Sequence, residues 1–198
     1  MITLALDTAY KYLIVGIYKD GKLLDGTMEE CFKSQSETIF PRIEELLKKC
    51  DLKLSDVDEC VITEGPGSYT GLRIAMTIAK ILGTQSKTKI YTLSTMQIYA
   101  GLEEEANVIL DARAHRAYTA HLSHGKVTKE AILELDLIPN FIQENPGTLF
   151  GDGYLIGMKT PEVDFLSNIE QLRDEYHLIE NVHALAPKYY KESDAYRV

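Results

Sequence analysis

Residues 63–75 read Thr-Glu-Gly-Pro-Gly-Ser-Tyr-Thr-Gly-Leu-Arg-Ile-Ala, and they force a sharp corner between two kinds of regular structure. Before the corner, Cys60-Val61-Ile62-Thr63 is a short apolar, β-branched run that reads as a strand. After it, Leu72, Ala75, Ala79 and Leu82 recur at helical spacing. Gly65 and Gly67 permit backbone angles that other residues resist, and Ser68 is placed to cap the helix. Such a corner resembles an anion site, because helix N-termini present free N–H groups. The common signatures of that chemistry fail here. A Walker loop requires a second glycine five residues after the first and then Lys-Ser/Thr, whereas Gly65 leads to Thr70 and Gly67 to Leu72. The dinucleotide fingerprint breaks at Thr70, and a nucleophile elbow around Ser68 needs glycines where Pro66 and Thr70 stand. Ser68 is read as a cap.

With 198 residues and 45% hydrophobic content the chain can bury a real core. No apolar run approaches the roughly 20 residues of a membrane helix. Met1-Ile2-Thr3-Leu4-Ala5-Leu6-Asp7 lacks the basic start and cleavage pattern of a signal peptide, so a cytoplasmic location with no membrane contact is expected. Cys31, Cys50 and Cys60 are odd in number and widely spaced, which suits neither a disulfide framework nor a zinc site. A formal charge of −9 argues against gripping a nucleic acid backbone alone, since that affinity comes from clustered Lys and Arg. The tail from Pro187 to Val198 mixes Lys188, Lys191 and Arg197 with Tyr189, Tyr190 and Tyr196. It reads either as an RNA contact or as a docked or frayed end.

A constant shift of 104 superposes Leu6-Asp7 on Leu110-Asp111 and Gly21-Lys22 on Gly125-Lys126, which predicts two halves built alike. The first half opens with strands over 2–6, 12–18 and 22–28, the last two joined by a tight Asp20-Gly21 hairpin. In the second half 107–110, 118–122 and 127–133 play those parts. Ser34-Gln35-Ser36-Glu37 has capping-box spacing ahead of a helix carrying Ile39, Ile43, Leu46, Leu47 and Cys50, with Pro41 marking a kink or the proper start. Strand 60–63, helix 68–83, a strand near 89–92 and a helix near 95–105 follow. Three antiparallel strands and then alternating helices and strands make a mixed α/β layer in the ribonuclease-H-like order. Farther on, Leu149-Phe150 ahead of Gly151-Asp152-Gly153 predicts another strand and glycine turn, and 165–175 a helix. The halves are expected to meet near Gly101 to Asn107, giving lobes at 1–104 and 105–198.

Helix 68–83 has two apolar sides. Leu72, Ala75, Ala79 and Leu82 suit packing on a sheet, while Ile74, Ile78 and Ile81 form a second stripe. That stripe is covered either by the neighbouring helix or by another subunit. In the second case helices 35–50 and 68–83 supply an interface of roughly 1,600 Å², and an isolated chain tends to pair with itself. The expected partner-binding set is Ile39, Ile43, Leu46, Leu47, Ile74, Ile78 and Ile81.

Together these residues resemble the TsaB (YeaZ) family of tRNA threonylcarbamoyladenosine biosynthesis proteins, essentially end to end. The resemblance rests on Leu4-Ala5-Leu6-Asp7-Thr8, Ser36-Glu37 with Pro41 ahead of Leu46-Leu47, and the signature Gly65-Pro66-Gly67-Ser68-Tyr69-Thr70-Gly71-Leu72-Arg73. Leu93-Ser94-Thr95, Leu110-Asp111-Ala112-Arg113, Gly151-Asp152-Gly153 and Pro187-Lys188-Tyr189-Tyr190 add to it. Gln35 stands where many relatives carry His. The resemblance implies an actin-like, sugar-kinase-like (ASKHA) α/β fold of two ribonuclease-H-like lobes. It also implies a non-catalytic scaffold subunit that pairs with the catalytic threonylcarbamoyltransferase TsaD through first-lobe helices, with the ATPase TsaE joining. On that reading tRNA is met only through the complex, no cofactor is bound by this chain alone, and ATP and a divalent metal belong to the partner complex.

In the catalytic relative a His-x-x-x-His pair holds a metal, and the matching stretch here is Thr95-Met96-Gln97-Ile98-Tyr99, which cannot replace two imidazoles. His115, His121, His124, His177 and His183 are scattered and read as surface residues, so no metal site is expected. Asp7 and Asp111 end equivalent strands. Each either faces a nucleotide's metal, as such aspartates do across this superfamily, or accepts backbone N–H bonds two residues on. An autonomous nucleotide-dependent enzyme using both aspartates is the alternative function. Arg73, with the turn residues Gly65, Gly67, Ser68 and Gly71, either meets a carboxylate or phosphate at a subunit junction or braces the turn.

Overall fold

The computed structural model describes residues 1–31 and 34–188. Strict alternation along its first strand organises the molecule. In β1 (Ile2–Asp7), Leu4 and Leu6 enter one core and Ala5 enters another, so both faces of the strand are buried. β1 pairs antiparallel with β2 (Tyr12–Lys19), which pairs antiparallel with β3 (Lys22–Glu30). On its other side β1 runs parallel to β4 (Glu59–Thr63), and β4 runs parallel to β5 (Lys89–Leu93). Between them lie α1 (Gln35–Lys49) and α2 (Tyr69–Gln85), with α3 (Thr95–Ala100) after β5.

The second sheet repeats the first at the predicted shift. β6 (Ala106–Arg113), β7 (Arg116–Ser123) and β8 (Lys126–Glu134) form an antiparallel meander, and β9 (Thr148–Gly151) runs parallel to β6. The orders β4-β1-β2-β3 and β9-β6-β7-β8 are therefore equivalent. The match extends to irregularities. β2 and β3 slip register between Ile17/Tyr18, opposite Asp25 and Leu23; β7 and β8 slip between His121/Leu122, opposite Lys129 and Val127. Both hairpins turn on two residues of positive φ, Asp20 (52°) with Gly21 (82°) and His124 (47°) with Gly125 (77°), the turn whose twist suits antiparallel strands. The fold is α/β and of the ribonuclease-H-like, ASKHA type.

The layers stack in one order. α1 and α2 cover the first sheet's outer face, burying Ile39, Ile43, Leu46, Leu47, Ala75 and Ile78 against Leu4, Leu6, Val15 and Ile62. Its inner face, with Ala5, Ile14 and Val61, shares a core with Met96, Ile98 and Tyr99 of α3, with Phe165 and Ile169 of α5 (Phe165–Gln171), and with Val108, Leu110, Ala120 and Leu122 of the second sheet. α4 (Ile138–Glu144) covers the remaining face, where Ile109, Ala117 and Leu133 lie. The chain then returns to the first sheet. Leu172–Glu175 continues α5 as a 3-10 turn, and β10 (His177–Leu178) pairs with β5. Arg173 ties this return down with a 2.5 Å ion pair to the buried Glu59. Among the described residues no helix is long and apolar enough to cross a membrane.

Several helix ends differ from expectation. α1 begins at Gln35, with Pro41 inside it, because proline removes a single N–H while Gln35 and Ile39 are already buried ahead of it. Ser34 sits at the cap position without a side-chain cap bond; its hydroxyl lies 3.4 Å from the Cys31 sulfur instead. α3 ends at Ala100 rather than near 105, because Gly101 takes a positive φ of 59° as its C-cap. The stretch expected as one helix over 165–175 tightens to a 3-10 turn after Gln171.

Candidate functional site

The glycine corner is filled by the chain itself. Ser68 N–H donates to the Ala9 carbonyl at 2.6 Å, and the Thr8 hydroxyl donates to the Gly71 carbonyl at 2.6 Å. A Cβ on Gly71 would lie 2.0 Å from the Thr8 oxygen, and one on Gly67 would lie 2.2 Å from the Ala9 oxygen. These glycines therefore admit the backbone of the β1–β2 loop. The Ser68 hydroxyl accepts from Gly71 N–H at 3.3 Å, the expected cap. Gly65 has a φ of 117°, its carbonyl accepts from Thr95 N–H at 2.8 Å, and Lys188 N–H donates to the neighbouring Glu64 carbonyl at 2.8 Å. Arg73 is exposed and leans on Tyr69, donating to its hydroxyl with the guanidinium 5.1 Å from the ring centre, so it braces its own helix rather than the turn.

Both strand-end aspartates make the local turn. Asp7 Oδ1 accepts from Ala9 N–H at 2.9 Å, and Asp111 Oδ1 accepts from Arg113 N–H at 2.7 Å, the same bond 104 residues apart. Their surroundings differ. Asp7 is 2% exposed and takes a second, short bond from the Thr63 hydroxyl. Burial pushes its carboxyl up to about 6, against the opposing effect of the Thr63 and Ala9 donors. Asp111 is half-buried at the junction of the lobes. Its N–H donates at 2.9 Å to Asp152 Oδ2 and at 2.9 Å to the Tyr10 hydroxyl, which in turn donates to Asp152. Lys11 Nζ completes the cluster, 2.5 Å from Asp152 Oδ1 and 5.1 Å from the Tyr154 ring centre.

Tyr10, Lys11 and Asp152 escaped the sequence reading. The available signal was the strand-end position of Asp152 in the glycine turn Gly151-Asp152-Gly153, since strand-end position is also what marked Asp7 and Asp111. Thr95 and Tyr99 are buried beside this junction, and the Tyr99 phenol is pushed up first by burial and then by the charges of Asp7 and Asp152. Gln35 is structural: its amide donates to the carbonyls of Tyr10 and Tyr12, both at 3.2 Å, fixing the start of α1 on the β1–β2 loop. His121 is not a surface residue; it is wedged between Asn107 Oδ1 at 3.1 Å and Glu105 at 3.0 Å. Burial pushes the Cys60 thiol up to about 12. Among the described residues no group of three or more His, Cys, Asp or Glu side chains is arranged to hold a metal ion.

The expected partner-binding stripe is largely consumed inside the chain. Ile39, Ile43, Leu46, Leu47 and Ile78 are at most 6% exposed, because α1 and α2 pack on each other as well as on the sheet. Ile78 thus follows the intramolecular reading. Ile74 is partly buried against the same core, and Ile81 is 50% exposed. Tyr69, Arg73, Thr77 and Ile81 make the solvent side of α2, and Phe40 is 58% exposed on α1 beside a groove of about 580 Å³. Residues 189–198 of the tyrosine-rich tail lie outside the described residues.

This geometry has known counterparts. A family model described as "TsaD: tRNA N6-adenosine threonylcarbamoyltransferase" matches residues 29–140, more than half of the 198 residues. The tRNA threonylcarbamoyladenosine biosynthesis protein TsaB of Buchnera aphidicola subsp. Schizaphis graminum is 34% identical over 99 residues, 50% of this chain and 47% of that protein. The TsaB protein of Bacillus subtilis is 30% identical over 123 residues, 60% of this chain and 54% of that protein. The chain belongs to this family, in its TsaB (YeaZ) branch. The match thus spans about half the length of these two curated TsaB relatives. The solved YeaZ of Pseudomonas aeruginosa superposes with a TM-score of 0.71 at 21% identity, covering 95% of this chain and 99% of that one, which shows a shared fold.

Proposed function

We propose that this chain is a non-catalytic scaffold subunit in the synthesis of tRNA threonylcarbamoyladenosine, binding and activating the threonylcarbamoyltransferase TsaD, with the ATPase TsaE joining. The names of its TsaB relatives support the pathway. The observation that carries the non-catalytic role is the sealing of the first-lobe aspartate. Asp7 spends Oδ1 on Ala9 and Thr63 and is buried beneath the glycine turn, while Thr95 and Tyr99, at the positions of the catalytic relative's histidine pair, are core residues. ATP and the divalent metal belong to the partner complex. The charge of −9 favours tRNA contact through a basic partner.

The solvent side of α2 is the surface offered to that partner, and in its absence to a second copy of the chain. Reconstitution tests the reading: tRNA modification should require this chain together with TsaD and TsaE, and the chain with ATP and magnesium should give none. Ile81→Asp, a change at an exposed position, should keep the chain folded and weaken co-elution with TsaD at least tenfold. Turnover by the isolated chain, or full modification without it, would overturn the proposal.

A further inference from the structure

A sheet edge is a row of free N–H and C=O groups that another strand can join, and proteins manage such edges with short strands, charges and bulges. Three of the four edges here are short or polar. β10 and β9 have two and four residues, and β8 exposes Lys126, Lys129, Glu130 and Glu134. β3 is different. Among the described residues it ends the first sheet, runs for nine residues, and exposes Leu23 by 37%, Leu24 by 48% and Met28 by 45%. Its register slip makes Leu24 the extra residue of a bulge, because Tyr18 pairs with Leu23 and Ile17 with Asp25. Strand alternation about that bulge turns the amides of Leu23, Gly26 and Met28 to the open edge. Two of the three are already taken. Glu170 Oε2 of α5 accepts from Leu23 N–H at 2.8 Å, and Asp25 Oδ1 accepts from Gly26 N–H at 2.8 Å. α5 is seated for this by Leu166, which fills the notch between the paired Gly16 and Gly26; a Cβ on Gly26 would lie 2.8 Å from its methyls.

We propose that β3 is a guarded edge, in which Glu170 and Asp25 occupy the amides through which a second copy of the chain would otherwise pair. The occupant follows from the strand itself. With the bulge counted as one position, an antiparallel two-fold at Gly26 sets Gly26 beside Gly26 and Leu23 of each copy beside Met28 of the other, so the exposed apolar side chains meet each other. That register needs the Leu23 and Gly26 amides, the two that the carboxylates hold. An amide already bonded to a carboxylate has no donor left for an incoming strand, and displacing a charged acceptor costs more than displacing a neutral one. α1 packs on β2 and β3 while α2 packs on β4, so this edge is separate from the solvent side of α2.

Paired substitutions in the full chain separate capping from charge. Asp25→Ala with Glu170→Ala removes both acceptors, whereas Asp25→Asn with Glu170→Gln removes the same two charges and keeps an acceptor at each place. In sedimentation velocity over a concentration series, the alanine pair should self-associate roughly tenfold more tightly than the wild type, or more, and the amide pair should stay at the wild-type level. Adding Met28→Pro to the alanine pair removes an edge N–H and should restore the wild-type level, while adding Ile81→Asp should leave the gained association in place. Circular dichroism checks that each variant is folded, and Glu170→Ala alone carries the same prediction if the alanine pair unfolds. Equal association of the alanine and amide pairs would overturn the proposal, as would gained association that survives Met28→Pro.

Discussion

Asp7→Asn should make the protein more stable above neutral pH and nearly unchanged in acid. The wild-type carboxyl is buried with a folded-state value of about 6, against 3.8 when exposed. A carboxyl raised on folding contributes stability that is complete below the unfolded value and is lost as pH rises through the folded one. Going from 3.8 to about 6 corresponds to about 3 kcal/mol in all. About 2 kcal/mol of this falls between about pH 4 and pH 8, since at pH 4 the unfolded carboxyl is already more than half ionised. Asparagine keeps an oxygen to accept from Thr63 and Ala9 and carries no charge to desolvate. Urea unfolding of both proteins from about pH 4 to pH 8 measures the difference, which cancels the contributions of every other titrating group. The two stabilities should diverge in favour of Asp7→Asn by about 2 kcal/mol across that window. A constant offset would show that Asp7 titrates alike in both states. A widening margin in favour of the wild type would show that the two donors outweigh burial, and would refute the sign of the argument.

Two further substitutions probe the same corner and the helix layer. Gly71→Ala places a methyl 2.0 Å from a backbone oxygen that cannot rotate away. It should cost about 3 kcal/mol in urea unfolding, the upper end of overpacking; a cost below about 1 kcal/mol would mean the β1–β2 loop yields. Ile78→Asp buries a charge at a position 6% exposed and should lower stability by roughly 4 kcal/mol or more, enough to unfold a marginal domain. Circular dichroism and thermal unfolding beside Ile81→Asp should show a wild-type curve for the latter alone.

Legibility followed the range of the interactions. Both hairpins were visible because a turn with two positive φ values selects glycine at its second position, and Gly21 and Gly125 stand 104 apart. The matching register slips carry no comparable letter signal and had to be seen. The glycine corner was located correctly, but its glycines answer a need no local pattern states, the approach of residues 8 and 9 from a strand more than 50 positions away. Periodicity found the second stripe of α2. It cannot say whether that stripe meets a neighbouring helix or another molecule, and for Ile78 the neighbour is α1. Ser34 shows the converse failure, a capping box in spelling whose hydroxyl is turned toward Cys31.

Duplication makes the difference between the aspartates interpretable. Both copies fold the strand end in the same way, with the carboxylate accepting the N–H two residues on, so the turn alone cannot explain their different fates. What differs is the side chain that reaches the strand end from the next parallel strand, Thr63 in the first copy and, one register position earlier, Asp152 in the second. In the first lobe the end of β4 supplies Thr63, a donor, which satisfies Asp7 in place and closes the turn beneath the glycine corner. In the second lobe Asp152, just after β9, is an acceptor; it cannot satisfy Asp111's carboxylate and takes its N–H instead, leaving a buried charge that needs further donors from elsewhere. Lys11 and Tyr10, on the loop beside the sealed turn of the first lobe, meet that need. One scaffold used twice, with different side chains reaching the strand end from the parallel neighbour, thus yields one closed turn and one carboxylate-centred contact beside the other polar ties between the sheets.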